Sequence, residues 1–331
     1  MPQHERRDVP SQLHGRIPSR FLFDKFIVHW TRLDEKGLAE PFFHQTIERL
    51  RRTGQHDVIA TSISVLLRIK EEIRPNGFIF HISRCGSTLL ANAMRCFAGS
   101  TVVSESKLIS KALLLQHDLI RFTGESVARE DLLRGLVRSY GRRQTEQDTS
   151  LIFKLSSWNI THIDVFRHLW PDVPIAIVIR DPLEVAVSLM KGPPGWLAES
   201  RFDELVRSDI RSHVELQHSQ TMESRCARIL GEYLNAALLV AHDPLCCLVD
   251  YKDISLNKAL EIAKFFNIAT RNDVDMSALE ATLSKYSKDP NAARLYSDDT
   301  LLKQGSASNQ LREEINVRAR PFYERLLGQL H

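Results

Sequence analysis

Short, mostly apolar runs alternate along this chain with segments in which apolar residues recur at helical spacing. The runs are rich in β-branched residues, which is typical of strands buried on both faces of a parallel sheet. They lie at Phe78–Ile82, Thr101–Ser104, Leu151–Leu155, Ile175–Ile179 and Leu245–Asp250. The alternation predicts a three-layer α/β/α protein with a central parallel sheet of about five strands and helices on both faces.

The segment before residue 76 has a different pattern. Residues 1–18 are mainly polar and charged, which predicts a mobile arm. Between residues 19 and 75, apolar residues at helical spacing, such as Phe42, Phe43, Ile47 and Leu50, predict helices. The sequence thus predicts an N-terminal arm and helical cap at residues 1–75 and an α/β domain at residues 76–331. Trp30 and the pair Phe42-Phe43 are interpreted as core of the cap, with a substrate-pocket wall as the alternative.

Further helices are predicted after the first two strands. Residues 108–142 have the pattern of two helices, residues 200–242 are mostly helical, and residues 309–327 form a last helix that packs on the core. The intervening residues 288–308 are rich in loop-forming residue types. These segments supply the helical layers that cover the predicted sheet.

The composition of the 331-residue chain narrows its class: 43% of residues are apolar and 26% are charged, as in ordinary globular proteins. The net charge of +3 does not indicate a nucleic-acid-binding protein. Five cysteines without a C-x-x-C pair fit a reducing compartment. No apolar run approaches the length of a membrane span, and residues 1–16 lack the apolar core of a signal peptide. The sequence therefore predicts a cytoplasmic protein without a membrane span.

The segment from Gly77 to Leu90 has the pattern of a phosphate-binding loop. An apolar strand leads into a turn of small residues, and a helix begins at Ser87, so backbone N–H groups converge where the helix dipole favours an anion. Compared with G-x-x-x-x-G-K-[ST], His81 replaces the first glycine and Ser87 replaces the lysine. A cation is present instead at Arg84. The loop is suited to a phosphate but lacks the usual grip on a triphosphate; an ordinary strand-to-helix turn is the alternative.

A second phosphate motif follows the strand Ile175–Ile179. Arg180 comes directly after this strand, Pro182 suits the first turn of the next helix, and Ser188 lies about two turns into it. A guanidinium at a strand end and a hydroxyl on the following helix can bind one phosphate together. The alternative is a structural ion pair between Arg180 and Asp181 or Glu184.

Both motifs resemble those of sulfotransferases that use 3′-phosphoadenosine 5′-phosphosulfate (PAPS). The run Arg84-Cys85-Gly86-Ser87-Thr88-Leu89-Leu90 resembles their 5′-phosphosulfate loop, and the run from Arg180 to Ser188 resembles their 3′-phosphate motif. The resemblance spans residues 77–190 and implies a P-loop nucleotide-binding fold. It also implies sulfuryl transfer from PAPS to an acceptor hydroxyl or amine, with release of the desulfated nucleotide PAP.

The same resemblance implies a cofactor site. A basic, glycine-containing segment near the C-terminus closes the site in the family, and Lys303 is its weaker counterpart here. The implied cofactor-binding residues are Arg84, Cys85, Gly86, Ser87, Thr88, Leu89, Arg180, Ser188 and Lys303. No metal is required, because PAPS has no β/γ-phosphate pair for Mg²⁺ to bridge. The implied partner is a small-molecule or peptide acceptor, and no nucleic acid is expected.

The catalytic residues are inferred from strand ends and from one departure from the family. Lys154 lies inside an apolar strand and needs a partner there. Where the small-molecule branch of the family has Lys-Thr-His with a basic His, this chain has Ser156 in place of the His. In the branch that sulfates protein tyrosines, a Glu after the preceding strand is the base, and Glu105 occupies that place. The resemblance therefore implies Glu105, Arg84 and Lys154 as catalytic residues.

The alternatives concern the role of Glu105 and the class of the protein. Glu105 could instead be an acid that stabilises the N-terminus of the following helix, and His81 or His162 would then be the next candidates for the base. A P-loop phosphotransferase would require a lysine after Gly86 and an acid for Mg²⁺, and Ser87 argues against it. A non-catalytic nucleotide-binding module would keep Arg180 without needing Glu105.

Overall fold

A parallel sheet of five strands forms the centre of the molecule. The computed structural model describes residues 11–22, 25–114, 120–122, 125–197, 221–268, 274–284 and 300–330. In spatial order the central strands are β10 (Cys246–Asp250), β9 (Ile175–Ile179), β4 (Pro75–His81), β8 (Ser150–Lys154) and β5 (Ser100–Ser104). Every adjacent pair is parallel. The predicted apolar runs are therefore confirmed as neighbouring strands of one parallel sheet.

Burial of the strands shows that both faces of the sheet are covered. Successive side chains of a strand point to opposite faces, yet every residue of β8 and β9 is buried. The helices that accompany the sheet are α1 (Phe43–Arg52), α2 (Ser64–Arg68), α3 (Ser87–Met94), α4 (Lys107–Leu113), α5 (Arg129–Tyr140), α6 (Ile163–Leu169), α7 (Pro182–Lys191), α8 (Met222–Val240), α9 (Leu256–Phe265), α10 (Met276–Leu283), α11 (Thr300–Gly305), α12 (Asn309–Arg318) and α13 (Arg320–Leu327). The three-layer α/β/α prediction is confirmed.

The N-terminal segment contains a second sheet, so the prediction of a helical cap at residues 19–75 is wrong for most of its length. Strands β1 (Arg16–Leu22), β2 (Ile27–Arg32) and β3 (Val58–Ser62) form an antiparallel sheet, and only α1 and α2 are helical. Val28 and Trp30 alternate with polar residues, the strand pattern of a half-buried sheet, and both are fully buried. The cap is thus an α+β element rather than a helical one.

The mobile-arm prediction is also wrong from residue 11 onward. Leu13 and Ile17 are buried, and the phenol of Tyr140 donates to the carbonyl of Pro18 over 3.0 Å. Phe43 packs edge-on against the same Tyr140 ring, with 5.7 Å between ring centres. These contacts attach the small sheet and α1 to α5 of the central domain. Residues 1–10 lie outside the described part of the chain, and the domain boundary at 75/76 stays a prediction.

Three other segments differ from the sequence prediction. The first helix predicted in residues 108–142 ends at Leu113, and strands β6 (Ile120–Phe122) and β7 (Glu125–Val127) form a short antiparallel pair before α5. The predicted loop 288–308 is helical at α11, while residues 285–299 are outside the described ranges. The predicted last helix is two helices, separated at Ala319, where φ is −120°; the second begins at Arg320, with Pro321 in its first turn.

One further helix prediction can be compared with the structure. The predicted helix within residues 200–242 is confirmed over the described residues 222–240. Among the described residues, no helix has both the length and the apolar character needed to cross a membrane.

Candidate functional site

The two phosphate motifs and the predicted catalytic residues meet at one edge of the central sheet. Lys154 ends β8, where it pairs in register with Ile79 of β4 and Ser104 of β5. Arg180 follows β9, on the other side of β4. Because carboxyl ends of parallel strands share one edge, the loop after β4 lies between Arg180 on one side and Lys154 on the other. The sequence prediction of a common crevice agrees with this topology.

The loop after β4 has an unusual backbone. Ser83, Arg84 and Gly86 have φ values of 77°, 46° and 85°, in the left-handed region that non-glycine residues rarely adopt. The N–H of Ser83 donates to His81 Nδ1 over 3.1 Å, and His81 Nε2 lies 2.9 Å from the Leu155 carbonyl. This pairing assigns the neutral tautomer with the proton on Nε2. Left-handed turns of this kind orient backbone N–H groups toward an anion.

Side chains of the loop divide between the crevice and the core. The Arg84 guanidinium is half-buried and donates to the Gly192 carbonyl over 3.2 Å. Cys85 is fully buried and its thiol donates to the Val178 carbonyl over 3.1 Å, so only its backbone can serve a ligand. Ser87, Thr88 and Leu89 are buried at the start of α3. Of the six loop residues predicted to bind cofactor, Arg84 is thus the one whose side chain reaches out of the loop.

Gly86 is required by both conformation and space. Its φ is left-handed, and a Cβ built on it would lie 2.6 Å from Tyr251 Cδ2 and 2.8 Å from Ile254 Cδ1. The Tyr251 ring cannot move aside without losing its contact with the Arg180 guanidinium. The glycine therefore lets the 3₁₀ turn Tyr251–Asp253 pack directly on the phosphate loop.

Replacing Gly86 with Ala is expected to lower the melting temperature by about 2–6 °C, because the substitution adds backbone strain and a clash worth roughly 1–2 kcal/mol. Differential scanning calorimetry measures the change. Gly305→Ala is the matched control, since that glycine has no heavy atom within 4 Å of a built Cβ. An equal shift in both variants would contradict the tight packing at Gly86.

Arg180 takes part in a buried ion pair, as the structural alternative proposed. Its Nη2 and Nε lie 2.6 Å and 2.7 Å from Glu184 Oε2, and both side chains are buried. The Tyr251 ring covers the guanidinium, with 3.9 Å from Arg180 Cζ to the ring centre. Asp181 pairs instead with Arg320 at 2.7 Å. The ion pair fixes the orientation of Arg180 and does not by itself exclude a phosphate ligand.

The remaining predicted cofactor residues lie on the helices around Arg180. Ser188 is half-buried on α7, two turns after Arg180. Helix α11 packs on α7, and Gln304 Nε2 donates to Glu184 Oε1 over 3.2 Å. Lys303, the preceding residue, is buried. The C-terminal segment named in the sequence analysis therefore reaches the partner of Arg180, and the binding roles of Ser188 and Lys303 stay predictions.

Glu105, Lys154 and His81 form a polar cluster on the other side of the loop. The Lys154 ammonium is 1% exposed and donates to Glu105 Oε1, while the Glu105 side chain is 28% exposed. The Glu105 N–H donates to the Lys154 carbonyl over 2.7 Å, and its φ of 53° is strained for a glutamate. His81 Nε2 lies 3.7 Å from the same carboxylate oxygen. Buried Lys154 thus has the partner that the sequence required.

Two alternatives from the sequence concern Glu105 and His162. The N-cap of α4 is Ser106, whose hydroxyl accepts from the Leu108 N–H, and Glu105 lies one residue before this cap. His162 ends a 3₁₀ helix, where it is buried against Trp158 with 6.0 Å between ring centres, a packing position.

Phe42, for which the sequence favoured packing over a pocket wall, lies beside Lys154, together with His44, to which the sequence assigned no role. The Lys154 ammonium lies 5.0 Å from the centre of the Phe42 ring, and His44 stacks on that ring at 5.7 Å. Desolvation by the surrounding protein and then the Lys107 charge lower the pKa of His44, against the opposing charge of Glu105. Phe42 directly precedes α1, so the N-terminal segment supplies a wall beside Glu105. The pair Phe42-Phe43 was the one sequence feature that indicated such a wall.

No protein-family model and no curated protein matches the chain. The sulfotransferase domain of the Synechococcus PCC 7002 olefin synthase has a TM-score of 0.45 at 19% identity, covering 77% of this chain and 96% of that one. An Alicyclobacillus acidocaldarius sulfotransferase has a TM-score of 0.45 at 16% identity, covering 78% and 96%. A mouse sulfotransferase complexed with PAP has a TM-score of 0.36 at 12% identity, covering 81% and 88%. The chain is similar to these proteins, and its own residues carry the functional argument.

Proposed function

We propose that this protein transfers a sulfuryl group from PAPS to an acceptor hydroxyl or amine and releases PAP. The observation that supports this most is the order of groups along one sheet edge. Arg180 lies after β9, the phosphate loop follows β4, and the Lys154–Glu105 pair lies at the ends of β8 and β5. This order gives two separated anion sites on one side and a buried cation with a carboxylate on the other.

The residues present fit a nucleotide with separate 3′- and 5′-phosphates. The left-handed loop turns at Ser83, Arg84 and Gly86 provide backbone donors for the 5′ side. Arg180, with Ser188 on the following helix α7, would hold the 3′-phosphate. Ser87 stands where a triphosphate-binding lysine would be, which favours a donor without a β/γ-phosphate pair.

The chemistry assigns a role to each polar side chain. PAPS supplies a sulfuryl group whose bond to an oxygen of the 5′-phosphate breaks while the bond to the acceptor forms. In this proposal Lys154 and Arg84 stabilise the negative charge that grows on the departing oxygen. The acceptor proton passes to a Glu105 carboxylate oxygen. The acceptor lies beside Glu105, against the wall that contains Phe42 and His44.

Wild-type protein is expected to bind PAP without Mg²⁺ and to bind it at least about tenfold more tightly than Mg-ATP, because the site lacks the lysine that holds a β/γ-phosphate pair. Isothermal titration calorimetry with PAP and ATP, each with and without Mg²⁺, measures the difference. Tighter binding of Mg-ATP would contradict the proposed function and favour a phosphotransferase.

A further inference from the structure

One arginine contacts both sides of the region beside Glu105. Arg95 ends α3, the helix that begins in the phosphate loop. Its Nη2 donates to the Ser104 hydroxyl over 3.0 Å, and its Nε donates to the Leu38 carbonyl over 3.1 Å. Ser104 directly precedes Glu105, and Leu38 lies four residues before Phe42. One guanidinium therefore joins the strand of the proposed base to the segment that carries the aromatic wall.

The contact of Arg95 with β5 lies on the open edge of the central sheet. β5 pairs with β8 on one side, and no strand of the described ranges pairs with it on the other. The Glu105 N–H points toward β8, and backbone groups alternate in direction along a strand, so the Val102 carbonyl points to the open side. Arg95 Nη2 donates to that carbonyl over 3.3 Å, in the place where a further strand would bind. The carboxyl end of β5 is therefore held by a side chain.

Glu105 has a backbone conformation that needs such support. Its φ of 53° is strained for a glutamate, and strained conformations persist only where the surrounding structure fixes them. The Glu105 N–H is held by the Lys154 carbonyl over 2.7 Å, and the preceding Ser104 is held by Arg95. Both contacts lie next to Glu105 in the chain, and neither uses its carboxylate.

The segment around Leu38 is fixed to α1 by a second arginine. The Arg49 guanidinium donates to the carboxylates of Asp34 and Glu40, and all three side chains are largely buried. These two acids flank Leu38, so the segment and α1 are attached to each other. The Arg95–Leu38 hydrogen bond then attaches this segment to β5.

We propose that Arg95 is a positioning residue that fixes the distance between the Glu105 carboxylate and the Phe42 wall, and thereby holds the acceptor hydroxyl at the base. The inference rests on the proposed function, because it takes Glu105 as the base. Arg95 acts through Ser104 and Leu38, without touching the acceptor.

The test is Arg95→Lys, which keeps the charge but loses the planar set of donors that reaches β5 and Leu38 together. It is expected to lower kcat by about tenfold or more, because a misplacement of about 1 Å at the reacting groups can cost about 10²-fold. The acceptor is one found by screening hydroxyl compounds with labelled PAPS. PAP affinity, measured by calorimetry, should stay within about threefold of wild type, because no contact of Arg95 described above involves the phosphate loop.

Arg167→Lys is the matched control. Arg167 also joins carbonyls of separate elements, Val173 before β9 at 3.0 Å and Leu245 before β10 at 3.2 Å, but at the opposite edge of the sheet. Its substitution is expected to keep kcat within about threefold, since distant sites act independently. In a Glu105→Gln background, Arg95→Lys should cause no further loss of kcat, because its effect passes through Glu105.

Hydrogen–deuterium exchange tests the geometry without an acceptor. Ligand-free Arg95→Lys should exchange faster than wild type in peptides that cover residues 36–42 and 102–108. Unchanged exchange in both peptides, a kcat within about threefold of wild type, or a loss of PAP affinity equal to the loss of kcat would overturn the inference and leave the proposed function intact. A wild-type protein that transfers no sulfuryl group from PAPS to any compound of the library would overturn the proposed function and the inference together.

Discussion

Glu105→Gln is expected to reduce the turnover of PAPS with an acceptor by about 10² or more, with PAP affinity within about threefold of wild type. The amide has nearly the shape of the carboxylate but cannot take up the acceptor proton. A library of hydroxyl compounds and peptides with labelled PAPS first identifies an acceptor for the assay. Calorimetry with PAP then shows whether donor binding is intact.

The Glu105→Gln variant also removes the charge that pairs with the buried Lys154, so its effect on stability needs a control. Glu105→Gln leaves an ammonium that is 1% exposed without its carboxylate, and losing one member of a buried pair costs up to about 3–5 kcal/mol. The partial exposure of Glu105 reduces that cost. Glu105→Gln with Lys154→Met removes both charges, so the melting temperature should recover while turnover stays low. Near-normal turnover in Glu105→Gln would refute its role as base and direct attention to His44 and His81.

Arg180→Ala is expected to weaken PAP binding by about 10² to 10³ and to abolish the preference for PAP over 5′-AMP. The lost contacts are charge-assisted hydrogen bonds, each worth roughly 1.5–3 kcal/mol. Competition between PAP and 5′-AMP, measured by calorimetry, isolates the contribution of the 3′-phosphate. A preference for PAP that survives the substitution would show that Arg180 does not hold the 3′-phosphate.

The Arg180 variant also leaves a buried acid. Glu184 is 6% exposed and pairs with Arg180, so Arg180→Ala alone is expected to destabilise the protein. Glu184→Gln in the same chain removes the charge and should restore most of the melting temperature. Selectivity should stay lost in the double variant, because restored folding does not restore the phosphate ligand.

The central sheet could be predicted from sequence because its strands are buried on both faces. Runs such as Ile175–Ile179 contain only apolar residues, and that pattern has few other interpretations at this length. The N-terminal sheet was missed because its strands mix polar with apolar residues, and because β2 and β3 pair across α1. The alternation of Val28 and Trp30 was a strand signal, yet the helical spacing around Phe43 and Leu50 was extended over the whole segment.

Some parts of the candidate site could likewise be predicted from the sequence, and others could not. Arg84, Glu105, Lys154 and Arg180 follow strand ends or lie within them, so the topology of a parallel sheet brings them to one edge. The sequence predicted that a buried Lys154 needs a partner, and Glu105 is that partner in the structure. The contacts of Phe42 with Lys154 and of Tyr251 with Gly86 join elements distant in sequence. Neither pair has a local spacing that a sequence pattern could reveal.

The wall of Phe42 and His44 belongs to a part of the chain that shares no strand pairing with the central sheet among the described residues. Substitution of Phe42 and His44 would therefore change what faces Glu105 without touching the strand pairing of β4 and β9. Under the proposed function, these two positions lie on the acceptor side of the site and the phosphate loop lies on the other. They are then the positions to randomise in a library that seeks new acceptors.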